Sequence, residues 1–159
     1  MVSLNEYVMR AVIQRVHKAQ VMVEQKVVGE IGRGLLVFLG IEKSDTGTDL
    51  TWLVDKIPGI RCFEDEHGKM NKSLMDIGGD VMVISQFTLY GSLRKGTRPS
   101  FNKAADPKQA IPLYEAFVAR LENKTGRPVA TGVFGAEMHI PADNDGPVTL
   151  VLDTRNKDF

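Results

Sequence analysis

Four consecutive apolar residues, Val81-Met82-Val83-Ile84, stop where Ser85-Gln86-Phe87-Thr88-Leu89-Tyr90 begins. A short apolar run rich in β-branched side chains reads as a strand buried on both faces. Polar side chains directly after it belong at the strand end, sheltered from water yet within reach of a substrate. A second polar stretch, Asn144-Asp145-Gly146-Pro147-Val148-Thr149, is its counterpart near the C-terminus.

The same patterning predicts the other elements. Met9 to Val16 reads as a strand, followed by strands over Ala19 to Glu24, Lys26 to Ile31 and Leu35 to Ile41. With tight turns at Gln25 and at Gly32-Arg33-Gly34, this half is an antiparallel meander. Ser44 to Asp49 offers several N-cap residues for a helix carrying Leu50, Trp52, Leu53, Val54 and Ile57, stopped by Pro58-Gly59, and Ile60 to Phe63 follows as a strand. Asp106-Pro107 opens a second helix, a capping carboxylate with proline at the first helical position. Its apolar stripe of Ala110, Leu113, Tyr114, Phe117, Val118 and Leu121 covers one face of the sheet, and Gly126 ends it. Pro128 to Thr131 is extended, and Glu137 to Ile140 and Val148 to Leu152 complete the strands.

Composition narrows the function classes. A chain of 159 residues, 43% hydrophobic, fits one domain over 9–159, with residues 1–8 an extension or expression remnant. Twenty basic and 20 acidic residues cancel, so any contact with RNA comes from a local patch. The single cysteine, Cys62, excludes an internal disulfide and any multi-cysteine zinc site, which points to a cytoplasmic protein; no run is long enough to span a membrane. Glu64-Asp65-Glu66-His67-Gly68-Lys69 lacks the ligand spacing of a calcium loop and reads as a solvated turn, and no histidine has a partner at metal-binding spacing. No metal and no cofactor is expected. Gly91 to Phe101 is a glycine-flanked loop carrying Arg94, Lys95 and Arg98, suited to phosphates or simply to solvent. Gly132-Val133-Phe134-Gly135-Ala136 permits close approach of a flat ligand, or is an ordinary loop.

Ser85 and Thr88 suggest nucleophiles, but an alcohol needs an adjacent base, and the chain has neither a nucleophile-elbow motif nor a recognisable Ser-His-Asp set. Hydroxyls at a strand end position a water or a substrate instead, and free backbone N–H groups there stabilise an oxyanion. Gly146-Pro147 is either an ordinary turn or a cis peptide that turns neighbouring carbonyls in a common direction.

Ser85-Gln86-Phe87-Thr88-Leu89 together with Asn144-Asp145-Gly146-Pro147-Val148-Thr149 resemble the two signature motifs of the D-aminoacyl-tRNA deacylase family, formerly D-tyrosyl-tRNA deacylase. The resemblance runs from Met9 to about Asp153 and includes Phe63-Glu64-Asp65, Gly68-Lys69-Met70-Asn71, Arg98-Pro99-Ser100-Phe101 and Phe134-Gly135-Ala136. It implies an α+β homodimer with an antiparallel β-barrel-like core and flanking helices. It also implies hydrolysis of the ester of D-aminoacyl-tRNA and of mischarged glycyl-tRNA, a proofreading step in translation. Ser85, Gln86, Phe87 and Thr88 then line the catalytic pocket. Gly146 and Pro147, joined by a cis bond, enter the other subunit's site as a gate against L side chains, and Arg15 braces the partner's loop. Phe134, Gly135, Ala136 and Met138 bind the 3′-terminal adenosine, while Arg94, Lys95 and Arg98 meet acceptor-stem phosphates. The reaction is hydrolysis by a positioned water, helped by the adenosine 2′-hydroxyl, with a covalent Thr88 intermediate as the alternative. Two departures from the family pattern stand at Pro58-Gly59 and at Pro141-Ala142-Asp143. A catalytically inert module that only holds aminoacyl-tRNA is the competing reading.

Overall fold

The computed structural model describes residues 9–158, so the proposed extension over residues 1–8 lies outside the described residues. β1 (Met9–Val23) is one unbroken strand where two were expected, and it pairs antiparallel with β2 (Lys26–Ile31), β3 (Gly34–Ile41) and β8 (Ala142–Asp153). The turn at Glu24-Gln25 forms as predicted, with φ of 50° and 67°. Gly32-Arg33-Gly34 is not a reversal. Val16 faces Gly34 and Ala19 faces Ile31, so β2 and β3 run along the same edge of β1 in one continuous register, bent at residues 32 and 33. Gly34 is needed for a different reason: a Cβ there would lie 1.8 Å from the carbonyl oxygen of Asp80 on β6 (Asp80–Ser85).

The sheet is mixed, not wholly antiparallel. β6 pairs parallel with β3 on one side and with β7 (Val129–Thr131) on the other, giving the order β2-β1-β3-β6-β7 with β8 on the free edge of β1. The connections explain the direction. Helix α1 (Gly47–Lys56), a ribbon of β4 (Phe63–Glu64) and β5 (Met70–Lys72) and the short α2 (Leu74–Ile77) lie between β3 and β6, and α3 (Pro107–Thr125) lies between β6 and β7. A long helical crossover brings the chain back to the starting end, so the next strand runs parallel. The sheet nearly closes on itself where β2 meets β7, since a Cβ on Gly29 would sit 2.7 Å from the carbonyl oxygen of Thr131.

β6 is buried on both faces, as its composition predicts. Val81 and Val83 join the larger core beneath the helices with Leu50, Leu53, Tyr114 and Phe117, while Met82 and Ile84 join Val16, Val21, Ile31 and Leu36 inside the barrel. Thr46 and Asp49 form a capping box at the start of α1, and Asp106 caps α3 through the N–H of Gln109. Pro58 does not end the first helix abruptly, because a 3-10 turn over Ile57–Gly59 continues it. The strand expected at Ile60 to Phe63 shrinks to β4 (Phe63–Glu64), paired with β5 (Met70–Lys72), and Asp65 closes the turn between them by accepting the N–H groups of His67 and Lys69. The strand expected at Glu137 to Ile140 is a single bridge from His139 to Met22. Among the described residues no helix is long and apolar enough to cross a membrane.

Asp80 ties three elements together at the start of β6. Its carboxylate accepts from Arg127 Nη2 at 2.6 Å and from the Gly32 N–H at 3.0 Å. The Arg127 bond holds its carboxyl below the usual carboxylate range. With the folded pKa below the unfolded one, this stabilisation is present above pH roughly 4 and is lost as pH falls through the folded value. Both partners are partly solvated, so Asp80→Asn is expected to cost only about 0.5–1 kcal/mol at pH 7. The gap between wild-type and variant melting temperatures should shrink at pH 3; an equal gap at both pH values would remove the charge from the explanation.

Candidate active site

The first signature motif folds as a strand end followed by a tight turn. The Gln86 N–H donates to the Leu39 carbonyl at 2.8 Å, and a 3-10 turn then spans Phe87–Tyr90. The Leu89 N–H bonds back to the Gln86 carbonyl at 3.3 Å, so the preceding N–H groups of Phe87 and Thr88 are not used by the turn. Gly40 lets this turn sit against β3, since a Cβ there would lie 3.0 Å from Leu89 Cβ and 3.2 Å from the Gln86 carbonyl oxygen. Arg10 holds it from the other side: Nη1 donates to the Leu89 carbonyl at 3.0 Å, Nε pairs with Asp153 at 2.8 Å, and the guanidinium lies over the buried Tyr90 ring. Burial, reinforced by Asp45, pushes the Tyr90 phenol above its usual value, so it stays neutral. Thr88 Oγ1 accepts a hydrogen bond from Gln86 Nε2.

A cavity of about 290 Å³ opens beside this turn, lined by Ser85 and Phe87 together with Ile41, Ala105, Pro107, Ala110, Phe134 and Gly135. Phe134, half-buried, meets Tyr114 edge to face at 5.9 Å, and the Tyr114 hydroxyl donates to the Val83 carbonyl at 2.8 Å. Burial pushes that phenol up to about 12. Thus β6 places Ser85, and α3 holds Phe134 against the same space. Ala136 and Met138 are not part of this cavity. They line a second recess of about 600 Å³ with Met22, Glu24 and His139. The close approach at Gly132 is taken by the chain itself, where the Met138 sulfur would lie 2.3 Å from an added Cβ. Gly135, at φ +77°, has nothing within 4 Å of such an atom and is open to a ligand.

The second signature motif lies elsewhere. Asn144 faces Val16 and Thr149 faces Gln14, so residues 145–148 bulge from β8 beside Arg15, and the Gly146-Pro147 peptide is cis. Arg15 is 5% exposed and grips this bulge in its own chain: Nε donates to the Asp145 carbonyl at 3.2 Å and pairs with its carboxylate, while Nη1 donates to the Cys62 carbonyl at 2.7 Å. His17 approaches the same carboxylate at 3.4 Å. Ser85 is level with Leu39 and Ala11, whereas the bulge is level with Arg15, four residues further along β1. At roughly 3.3 Å per residue the motifs are displaced by about 13 Å along the strands alone, with β3 and β1 between them.

Arg94, Lys95 and Arg98 are all exposed on a loop whose base is closed by the reciprocal hydrogen bonds of Ser92 and Ser100, at 2.7 and 2.9 Å. Among the described residues none of the three forms an ion pair. Arg10, Gly40 and Tyr114 support the site without having been predicted. Helical spacing placed Tyr114 in the core, but no sequence pattern marks its hydroxyl as the partner of Val83.

A family described as D-Tyr-tRNA(Tyr) deacylase matches residues 12–153. The chain is 58% identical over 146 residues to a D-aminoacyl-tRNA deacylase of Thermotoga petrophila, covering 92% of this chain and 97% of that one. It is 54% identical over 150 residues to one of Opitutus terrae, covering 94% and 100%. Among solved structures, the c-Myc DNA Unwinding Element Binding Protein superposes with a TM-score of 0.85 at 41% identity over 90% of this chain and 97% of that one. A probable eukaryotic D-amino acid tRNA deacylase, at 19% identity and a TM-score of 0.79 over 92% and 99%, shares the fold. The family match and the relatives together define a hydrolase. The chain belongs to the D-aminoacyl-tRNA deacylase family.

Proposed function

We propose that this hydrolase cleaves the ester of D-aminoacyl-tRNA and of glycyl-tRNA while sparing the L-aminoacyl ester, in a site completed by a second copy of the chain. The observation that carries the reading is the distance between the motifs. Gly146 and Pro147 are gripped by Arg15 through Asp145, yet they stand far from the cavity holding Ser85 and Phe87. A clamped loop with no work in its own chain suits delivery into the cavity of a partner. There its carbonyls hold the substrate α-amino group and leave no room for an L side chain, while a D side chain points away and glycine has none. Arg15 acts by shaping the loop.

The cavity suits the terminal adenosine, with Phe134 and Gly135 against the base and Ser85 and Phe87 toward the ester. Ala136 and Met138 border the neighbouring recess and extend the nucleoside contact. The unused N–H groups of Phe87 and Thr88 stabilise the oxyanion as water attacks, and Arg94, Lys95 and Arg98 hold phosphates of the acceptor stem. The side-chain partner of Thr88 is the Gln86 amide, which takes no proton, so the hydroxyl has no base there to activate it and water is the favoured nucleophile. Thr88→Ala is accordingly expected to keep single-turnover hydrolysis within about tenfold of wild type, whereas loss of a covalent nucleophile costs about 10⁴-fold or more.

The test is hydrolysis of matched D-tyrosyl-, L-tyrosyl- and glycyl-tRNA. Loss of the D and glycyl esters with the L ester spared is the expected result. Comparable loss of the L ester would remove the gate, and no turnover of any ester, despite binding, would leave an inert RNA-binding module.

A further inference from the structure

Phe87 and Phe101 stand out among the exposed residues. Their rings meet edge to face, centroids 5.1 Å apart at 70°, yet they are 54% and 38% exposed. Aromatic pairs usually close a core, and within the single chain this one is exposed. Phe101 is also firmly seated. It follows the Ser92–Ser100 pair that closes the cationic loop, and it lies so near Gly91 that an added Cβ would be 3.0 Å from its Cε1. The Gly91 N–H in turn bonds the Thr88 carbonyl at 2.9 Å, which fixes Phe101 relative to the catalytic turn.

We propose that the Phe87–Phe101 pair is a stacking platform for the unpaired nucleotides that precede the terminal adenosine of the tRNA. This rests on the tRNA substrate read above. The platform is continuous with the cavity through Phe87, and Phe101 directly follows the closed loop that carries Arg94, Lys95 and Arg98, three exposed cations on a chain of zero net charge. A pre-ordered aromatic surface between a nucleoside-sized cavity and a cationic loop has the composition that single strands require, in which bases stack and cations follow the backbone. A protein partner would find, on the loop that leads into Phe101, three positive charges with no ion pair among the described residues, which favours a polyanion.

The experiment compares wild type, Phe101→Leu and Phe101→Trp on D-tyrosyl-tRNA carrying 2-aminopurine in place of the nucleotide before the terminal adenosine. Stacking should quench the fluorophore on binding to wild type. Phe101→Leu is expected to raise KM about tenfold with kcat retained and to lose the quench, while Phe101→Trp restores both. A fall in kcat at unchanged KM would reduce Phe101 to a support of the catalytic turn and overturn the proposal. So would an unchanged KM with the quench intact, or a drop in molecular mass of Phe101→Leu in sedimentation, which would show the patch covering a second copy. Absence of turnover by wild type would instead defeat the tRNA-deacylase reading, and the platform with it.

Discussion

Gly146→Ala is expected to lower hydrolysis of D-tyrosyl-tRNA by about 100-fold while leaving the protein folded. Gly146 adopts φ +120°, a conformation an L side chain rarely takes, and an added Cβ would lie 3.0 Å from the Val148 nitrogen and 3.3 Å from Arg15 Nη2. The first contact is with backbone, so the loop must move; the second pushes on the guanidinium that grips Asp145. For a loop in the substrate-positioning role proposed above, a displacement of about 1 Å is enough for a loss of two orders of magnitude. Because the loop bulges from β8, the stability cost is limited to local strain, about 1–2 kcal/mol. Single-turnover rates and thermal melting on the same preparations check both halves. Gly59→Ala, where nothing lies within 4 Å of the added atom, is the matched control. A rate within threefold of wild type would show that the loop geometry does not matter to the reaction.

Gly34→Ala should have the largest effect on stability, about 3–5 kcal/mol. The methyl carbon would be placed 1.8 Å from the Asp80 carbonyl oxygen and 2.7 Å from the Asp80 nitrogen, all of them backbone atoms that no rotamer change removes. Relief requires β3 and β6 to separate at the first pair of their parallel ladder. Since β6 carries Ser85 at its far end and is core on both faces, the damage reaches the site as well as the fold. A fall in melting temperature of roughly 10 °C or more is expected for a chain of this size. A variant that melts within a few degrees of wild type would mean that the strands separate cheaply.

Much of this was legible in the residues. Asp106-Pro107 and Gly126 bound the second helix where their capping chemistry places them, and the apolar run at Val81 to Ile84 is a strand with core on either side. Both signature motifs were visible, and so was the loop with Arg94, Lys95 and Arg98. The glycines were misread where their purpose was long-range. Gly32-Arg33-Gly34 resembles a tight turn in any local window, yet Gly34 answers to Asp80, which is 46 residues away in the chain. Gly132, which the local sequence leaves open either to a flat ligand or to an ordinary loop, makes room for Met138. Nothing near Arg10 or Gly40 in sequence announces the turn at residues 87–90 that they hold.

By itself, then, the sequence determined the two long helices, the buried strand at Val81 to Ile84 and most of the other strands, the faces they bury, and the family to which the two motifs belong. These depend on hydrophobic period, capping and turn chemistry, all carried within a few residues. Tertiary structure alone decided that β6 runs parallel to β3 and β7, that β1 is one strand with three partners, and that Ser85 shares a cavity with Phe134 while Gly146 stands apart. Strand direction follows from the path of the connecting helices, and the grouping of side chains follows from which strands pair; both are set by contacts between residues far apart in the chain, which no local pattern encodes.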